Sequence, residues 1–233
     1  MLEKLRFSLI LWILDLQGDR RCAIVSPAMV SDYPHLRGSL IVFEGIDGTG
    51  KSTQVELLAR YLRSRGIEVV TGFEPTRGPW GMRVREAALA GDRLSIDEEI
   101  ARLLQDRREL VREVIEPALQ AGKWVLLDRY YLSMMAYQGA SGANVEEIRE
   151  WNEAFATIPD VALWLDIKIE LSQERMHARG KGKDAFENEK FLTACSAIYS
   201  AMEMPSLHRV EADGSVEEVH SQIREIILEE LGI

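Results

Sequence analysis

Residues Gly45-Ile46-Asp47-Gly48-Thr49-Gly50-Lys51-Ser52 match the pattern G-x-x-x-x-G-K-[ST]. The apolar run Leu40-Ile41-Val42-Phe43 precedes this stretch and predicts a buried strand, and apolar residues at helical spacing follow it from Lys51 to Arg63. A strand, a glycine loop and a helix in this order are typical of a phosphate-binding loop. The stretch therefore predicts an α/β fold that binds a nucleoside triphosphate.

Each residue type in this loop has a physical role in binding phosphate. Glycines let the backbone N–H groups point inward at the start of a helix, where they form a site for anions. In such loops the Lys51 ammonium group reaches the β- and γ-phosphates, and the Ser52 hydroxyl reaches a magnesium ion. We assign the ATP phosphates to Gly45, Ile46, Asp47, Gly48, Thr49, Gly50, Lys51, Ser52 and Thr53.

The composition of the chain limits its partners and its compartment. With 233 residues the chain fits one α/β domain with a sizeable core. Its net charge of −10 and its pI of about 5.0 argue against non-specific binding to nucleic acid or to an anionic membrane surface. Two cysteines, Cys22 and Cys195, provide no disulfide framework and fit a reducing cytoplasm. We expect a cytoplasmic protein whose partners are small molecules.

Residues 1–38 form an N-terminal extension that precedes the first predicted strand. Its apolar segment from Phe7 to Leu16 is shorter than the ~20 residues that span a bilayer. Lys4 and Arg6 before that segment resemble the start of a signal peptide, although an ATP-dependent enzyme lacks its nucleotide outside the cell. If it is not a signal peptide, the extension is either a non-native or disordered segment upstream of a start at Met29, or an extra helix packed on the domain.

From residue 39 onward, strand and helix patterns alternate. Strands are predicted at 40–43, 67–70, 124–127, 161–165 and 207–210, and helices at 51–63, 95–120, 145–155, 171–178, 186–202 and 216–231. Ser95 and Glu98 have the spacing of a capping box at one helix start. The alternation predicts a three-layer domain over residues 39–233, in which helices cover both faces of a parallel five-stranded sheet.

Charged residues stand where a parallel sheet brings its strand ends together. Asp128 and Arg129 directly follow the third strand, so a carboxylate that holds magnesium through water and a phosphate-binding arginine would lie beside the loop. Arg107 interrupts an apolar helix stripe that includes Leu103, and a buried arginine needs an anion. That anion is either a substrate phosphate or an internal partner such as Glu74.

A basic cluster follows the fourth strand. It comprises Arg175, His177, Arg179, Lys181 and Lys183, with two glycines between them. Glycines and cations together predict a lid over about residues 175–185 that closes on phosphates, although a solvated surface run is the alternative. Arg175 and Arg179 lie four residues apart, so we expect both to point toward the closed site.

Four segments resemble thymidylate (dTMP) kinases. They are Phe43-Glu44-Gly45-Ile46-Asp47-Gly48-Thr49-Gly50-Lys51-Ser52-Thr53-Gln54, Leu127-Asp128-Arg129-Tyr130-Tyr131-Leu132-Ser133, Ala136-Tyr137-Gln138-Gly139-Ala140 and Phe186-Glu187-Asn188. The resemblance implies a P-loop kinase fold and transfer of the γ-phosphoryl of ATP to dTMP, giving dTDP and ADP. It also implies Mg2+ and a homodimer.

The resemblance also implies roles for individual residues. Asp47 would contact the deoxyribose 3′-hydroxyl, Arg107 and Arg129 would hold the monophosphate, and Tyr137 would lie near the base and sugar. Residues Ala212-Asp213-Gly214-Ser215 match the loop beside adenine. The substrate-binding residues are then Asp47, Glu74, Leu103, Arg107, Arg129 and Tyr137, the catalytic residues are Lys51, Arg129, Arg179 and Lys183, and the metal-binding residues are Ser52 and Asp128.

The chain departs from the family pattern where the base would bind. Leu103 stands where a phenylalanine stacks on thymine, and Met134 replaces a small polar residue. The segment Phe73-Glu74-Pro75-Thr76-Arg77-Gly78 lacks the first arginine of Arg-Glu-Pro-Gly-Gly-Thr, and in the lid Lys183 stands near a common arginine position. A kinase for another nucleoside monophosphate and a non-catalytic nucleotide-binding protein therefore stay open as functions. The absence of an Asn-Lys-x-Asp element from the chain argues against a GTPase.

Overall fold

The computed structural model describes residues 37–91, 94–178 and 189–233, together with two strands near the N-terminus. These strands, β1 (Leu9–Leu14) and β2 (Arg20–Val25), pair in an antiparallel arrangement. One of the alternatives left open by the sequence, an extra helix in the segment from Phe7 to Leu16, is therefore wrong, because Leu9–Leu14 is a strand. Consecutive residues there are nearly all apolar, so their pattern does not distinguish a strand from a helix.

A five-stranded parallel sheet forms the centre of the domain. Its strands are β3 (Leu40–Glu44), β4 (Val69–Phe73), β5 (Trp124–Asp128), β6 (Val161–Asp166) and β7 (Leu207–Glu211). Their order across the sheet is β4-β5-β3-β6-β7, and Val42 in the central strand pairs with Leu127 on one side and Ala162 on the other. The central strand is fully buried, as its continuous apolar run predicts. The predicted parallel sheet is confirmed.

Helices cover the sheet. In chain order they are α1 (Lys51–Ser64), α2 (Pro79–Ala90), α3 (Ile96–Leu110), α4 (Glu116–Gln120), α5 (Tyr131–Ala140), α6 (Val145–Glu153), α7 (Ile169–Ala178), α8 (Glu189–Ala201) and α9 (Val216–Leu231). Helices α1 and α9 pack together and on the sheet, whereas α5 packs against α3, α6 and α8. This arrangement confirms the three-layer α/β fold. No helix in the described part of the chain is long and apolar enough to cross a membrane.

The helix predicted over residues 95–120 is interrupted by a π-helical turn at Val111–Ile115, which separates α3 from α4. Pro117 follows this turn and has no N–H group, so the regular hydrogen-bond ladder cannot continue through it. Only half of the predicted capping box forms, because the Glu98 carboxylate bonds to Arg102. A complete capping box, Ser215 with Glu218, begins α9 instead.

Two helices, α2 and α5, were not predicted from the sequence. Nearly every residue of α5 is buried, so its sequence shows no amphipathic stripe. In α2 the sequence begins Pro79-Trp80-Gly81, and Trp80, Met82 and Leu89 are exposed. Both helices follow strand ends at the same edge of the sheet, and both contribute to the site described next.

Candidate active site

A cleft of about 650 Å³ opens at the carboxyl ends of β3, β4 and β5. The glycine loop supplies one wall through Gly48, Gly50, Lys51 and Ser52. The opposite part is lined by Leu103, Arg107, Arg129, Met134, Tyr137 and Gln138. Because parallel strands end at one edge, residues that are far apart in the sequence meet in a single cleft. Its volume suits a small-molecule ligand.

Two loop positions require glycine. Gly48 has φ 80°, and a Cβ atom there would lie 2.5 Å from the backbone oxygen of Ser172. Gly50 has φ 95° and caps the N-terminus of α1. Side chains at these positions would strain the backbone or displace α7. The loop therefore wraps closely in front of the N-terminus of α1, which is the geometry expected of a phosphate-binding loop.

Lys51, the lysine of the loop, is only 5% exposed. Its Nζ atom donates to the backbone oxygens of Gly45 at 3.0 Å and Ile46 at 2.7 Å. The pKa of Lys51 is lowered to about 8, mainly by burial and also by the nearby Arg129 charge, while Asp47 opposes the shift. The ammonium group is therefore held at the loop and is sensitive to added negative charge.

The two residues predicted to bind metal are in contact. Ser52 lies in the first turn of α1, and its hydroxyl donates to the carboxylate of Asp128, the last residue of β5. Hydroxyl and carboxylate oxygens are ligands that magnesium accepts. Within the described ranges, no three His, Cys, Asp or Glu side chains form a group that could hold a metal ion by themselves. A magnesium ion here would take further ligands from phosphates and water.

Arg129 connects the phosphate loop to the opposite side of the cleft. Its Nη2 atom donates to Asp47 Oδ1 at 2.8 Å and to the Tyr137 hydroxyl at 3.0 Å, and its Nη1 atom donates to the Gly45 oxygen at 3.2 Å. The guanidinium group also lies 4.7 Å from the centre of the Tyr137 ring. Three residues that the sequence predicts for the substrate site, Asp47, Arg129 and Tyr137, are therefore brought together.

Arg107 is 2% exposed and has an internal partner. Both Nε and Nη2 donate to the Glu74 carboxylate, with Nε 3.0 Å from each carboxylate oxygen. Its Nη1 atom donates to Asn152 Oδ1 and to Met134 Sδ. Burial raises the pKa of Glu74, and Arg107 opposes that rise. The internal pairing with Glu74, left open by the sequence, is confirmed, and the charge of Arg107 is balanced inside the protein.

The apolar part of the cleft contains the two residues that depart from the family pattern. Leu103 and Met134 are both buried and both line the cleft. Gln138 lies on the same wall, is 4% exposed, and its Oε1 atom has no hydrogen-bond partner among the described residues. Sequence reasoning did not include Gln138 or Asn152 in the site, although Gln138 stands in the Tyr137-Gln138-Gly139 motif that carries the resemblance.

The basic cluster is only partly within the described residues. Arg175 donates to the backbone oxygens of Ala212, Asp213 and Gly214, so the expectation that it points toward the cleft is wrong. Three carbonyl groups at the loop before α9 compete for its guanidinium donors, which sequence spacing alone does not reveal. Arg179 and Lys183, predicted to be catalytic, lie outside the described residues, as does Lys181.

Comparison with known proteins identifies the family of this chain. A family model described as thymidylate kinase matches residues 43–223. The thymidylate kinase of Akkermansia muciniphila is 52% identical over 191 residues, which cover 82% of this chain and 92% of that protein. The thymidylate kinase of Desulfotalea psychrophila is 45% identical over 187 residues, covering 80% and 92%, and that of Xanthomonas oryzae pv. oryzae is 44% identical over 191 residues, covering 82% and 83%. The chain therefore belongs to the thymidylate kinase family.

Proposed function

We propose that this chain is a nucleoside monophosphate kinase that transfers the γ-phosphoryl group of ATP to dTMP. A phosphate oxygen of dTMP attacks the γ-phosphorus, the bond from that phosphorus to the β–γ bridging oxygen breaks, and dTDP and ADP leave. The observation that carries this proposal is the single cleft in which the phosphate loop with Lys51 faces Arg129, Tyr137 and Gln138. Such a cleft can hold a donor and an acceptor nucleotide side by side.

The phosphates are assigned to the cations nearest the glycine loop. The loop N–H groups and Lys51 bind the ATP phosphates and stabilise the charge that shifts during transfer. Arg129 binds the monophosphate, because its guanidinium group lies at the loop. To bind two phosphate oxygens, it exchanges its Nη2 bonds to Asp47 and Tyr137 for bonds to the substrate. Arg179 and Lys183 serve the transferring phosphoryl group; this part of the proposal rests on the sequence. Asp47, whose side chain is 41% exposed, accepts from the 3′-hydroxyl of the sugar.

The geometry supports a different role for Arg107 from the one that the resemblance implies. Its positive charge is already balanced by Glu74, so it offers little attraction to a phosphate dianion. A guanidinium group has five N–H donors, and bonds to Glu74, Asn152 and Met134 leave only an Nη2 donor uncommitted. We therefore propose that Arg107 donates to a neutral acceptor, the O4 atom of the base.

Gln138 adds the complementary group. Its buried Oε1 atom is an acceptor without a partner among the described residues, and it lines the same cleft. Thymine presents an N3–H donor beside the O4 acceptor, whereas cytosine presents an N3 acceptor beside an N4 donor. A Gln138 acceptor and an Arg107 donor therefore favour thymine or uracil over cytosine. Leu103 and Met134 provide an apolar surface for the 5-methyl group, which is worth roughly 1–3 kcal/mol in a hydrophobic pocket.

Magnesium fits the oxygen ligands that meet at the loop. We propose that Ser52 binds it directly and Asp128 through water, since their side chains are already hydrogen-bonded to each other. When bound, the ion supplies positive charge to the phosphate oxygens during transfer. The loop at 212–215, held by Arg175 and Lys168, is proposed to lie beside adenine.

The domain boundary, compartment and oligomeric state are also proposals. We propose that residues 39–233 form the catalytic domain, that residues 1–28 are dispensable, and that the protein acts in the cytoplasm. All site residues named above lie in the proposed domain, and a chain that starts at Met29 tests the boundary through its turnover. We propose a homodimer, and the exposed Trp80, Met82 and Leu89 of α2 favour burial of that helix. Light scattering after size-exclusion chromatography measures the assembly.

The test of function is a side-by-side assay of dTMP, dUMP, dCMP and dGMP with ATP and magnesium, in which ADP release is followed. We expect the highest kcat/KM for dTMP, a lower value for dUMP, and poor turnover of dCMP and dGMP. Efficient turnover of another monophosphate without detectable dTMP turnover would refute the assignment to dTMP. Absence of ADP release with all four would favour a non-catalytic nucleotide-binding protein.

A further inference from the structure

Glu44 is a buried carboxylate directly next to the phosphate loop. It is the last residue of β3, it is 0% exposed, and it is not among the residues that line the cleft. Placing a carboxylate inside a protein is costly unless hydrogen-bond donors compensate it. Its donors therefore indicate why an acidic residue stands at this position.

Three donors from two different parts of the chain converge on Glu44. The Tyr130 N–H group donates to Oε1 at 2.9 Å, and the Ser133 hydroxyl donates to Oε2. The Tyr199 hydroxyl lies 3.2 Å from the same Oε2 atom. Tyr130 and Ser133 lie just after β5, on either side of the start of α5, so Glu44 joins the central strand to the segment that carries Arg129.

The direction of the hydrogen bonds follows from the chemistry of the groups. Arg129 Nη1 lies 3.1 Å from Ser133 Oγ, and a guanidinium group can only donate, so Ser133 accepts this bond. The single Ser133 proton then goes to Glu44. This sequence of donors, from Arg129 to Ser133 to Glu44, ends on a carboxylate and is strengthened by its charge.

The backbone of Arg129 needs such support. Arg129 has φ 74°, in the left-handed region that non-glycine residues seldom adopt. Its own N–H group donates to the Phe43 oxygen at 2.9 Å, and the next N–H group, that of Tyr130, donates to Glu44. The last two residues of β3 thus hold the backbone on both sides of the Arg129 α-carbon, while Ser133 holds its guanidinium group.

We propose that Glu44 is a positioning residue for Arg129: through the Tyr130 N–H group and the Ser133 hydroxyl it fixes the arginine that binds the monophosphate. The proposal rests on the proposed function of Arg129. Glu44 does not itself line the cleft, so its effect on the acceptor nucleotide passes through Tyr130 and Ser133 to Arg129. If Glu44 had only a structural role, replacing it would lower stability, and its effect on kcat/KM for dTMP would not depend on whether Arg129 is present.

The experiment is a double-mutant cycle with Glu44→Gln and Arg129→Met, measured as kcat/KM for dTMP at saturating ATP. The glutamine oxygen can still accept from Tyr130 N–H, but its amide directs donors at the Ser133 and Tyr199 hydroxyls. We expect E44Q to raise the KM for dTMP about tenfold, with the KM for ATP changed less than twofold. In the R129M background, E44Q should change kcat/KM by less than twofold.

Asp160→Asn is the matched control, because Asp160 accepts from Leu40 N–H at the opposite end of β3. D160N should lower Tm and leave the KM for dTMP unchanged. Any effect of D160N on kcat/KM should be the same in the wild-type and R129M backgrounds. Ser133→Ala serves if E44Q does not fold, and it should give the same KM effect and the same dependence on Arg129. The positioning role is overturned if the effects of E44Q and R129M on kcat/KM for dTMP multiply in the double variant. It is also overturned if E44Q lowers Tm without changing the KM for dTMP. If R129M itself leaves the KM for dTMP normal, the assignment of Arg129 to the monophosphate fails first.

Discussion

Arg107 of α3 and Glu74 after β4 form a buried ion pair at the side of the cleft, with Nε 3.0 Å from each carboxylate oxygen. Arg107, for which the family resemblance implies a role in binding the monophosphate, is thereby part of a neutral pair with a single uncommitted donor. The pairing supports the proposed division of function between the two arginines of the acceptor side, with Arg107 binding the base and Arg129 the phosphate. This assignment determines how the enzyme should respond to changes at each position.

Replacing each arginine by methionine should distinguish base recognition from phosphate binding. All four monophosphates share the phosphate, so R129M should raise their KM values by a similar factor, roughly tenfold to a hundredfold. R107M should raise the KM for dTMP and dUMP more than that for dCMP, because only thymine and uracil offer O4. Steady-state kinetics on the four substrates measure this. An equal rise in KM for all four monophosphates in R107M would indicate that Arg107 binds the phosphate instead of the base.

Glu74→Gln should destabilise the fold, because it leaves the buried Arg107 charge without a counterion. Removing one partner of a buried pair costs about 3–5 kcal/mol in the free energy of unfolding. Urea denaturation at pH 8, without nucleotide, measures the change. Glu56→Gln is the control, since Glu56 pairs with Arg60 on the surface, where both side chains are more than two-thirds exposed (72% and 70%), and no measurable change is expected. Equal stability of the two variants would contradict the pairing.

Lys51 should limit ATP use at alkaline pH. Burial lowers its pKa to about 8, so the free enzyme loses the ammonium charge as the pH rises through that value. We expect kcat/KM for ATP to fall above pH 8, whereas kcat stays level to higher pH because bound phosphates favour the charged form. K51A should abolish turnover without unfolding the protein. Lys51→Arg keeps its charge across this pH range. Its kcat/KM for ATP should be lower than that of the wild type but should show no fall near pH 8. A fall near pH 8 in that variant would assign the titration to another group.

Leu103→Phe should improve binding of dTMP. The leucine forms an apolar wall of the cleft, and an aromatic ring there would add stacking on the base, at the low end about 1 kcal/mol or roughly fivefold in KM. The KM for dTMP is the measurement. Leu104→Phe is the control, because Leu104 is buried beside it without lining the cleft, and it should not lower the KM. An unchanged or higher KM in L103F, with Tm preserved, would place the base elsewhere.

Neutralising the basic cluster at Arg179, Lys181 and Lys183 to glutamine should lower kcat more than it affects dTMP binding. A cation at the transferring phosphoryl group is worth roughly 10³–10⁵ in rate when it is an arginine. Single-turnover kinetics separate the chemical step from binding. The charge-matched control replaces the exposed Arg60, Arg63 and Arg65 of the first helix segment. An unchanged kcat in the cluster variant would make that cluster a solvated surface run.

Local sequence was sufficient for the fold and for the glycine loop that is proposed to bind phosphate. The buried strand Leu40–Glu44, the glycine loop and α1 are contiguous, and their conformation depends on residue types a few positions apart. The five parallel strands were predicted for the same reason, most clearly β3, β5 and β6, which are short apolar runs between helical patterns. Helix α5 was missed because burial on all sides removes the periodic pattern on which such prediction depends.

The acceptor half of the site was decided by tertiary structure. Arg107 bonds to Glu74 and Asn152, which are 33 and 45 residues away in the sequence. Arg175 donates to the loop at 212–214 and not into the cleft. A buried charged side chain pairs with a partner that the packing of other elements brings close to it. The residues next to it in the sequence do not indicate which partner that is. The sequence therefore determined the glycine loop that is proposed to bind phosphate, and only the packing of α3, α5 and α6 around the cleft determined that Arg107 pairs with Glu74 and Asn152.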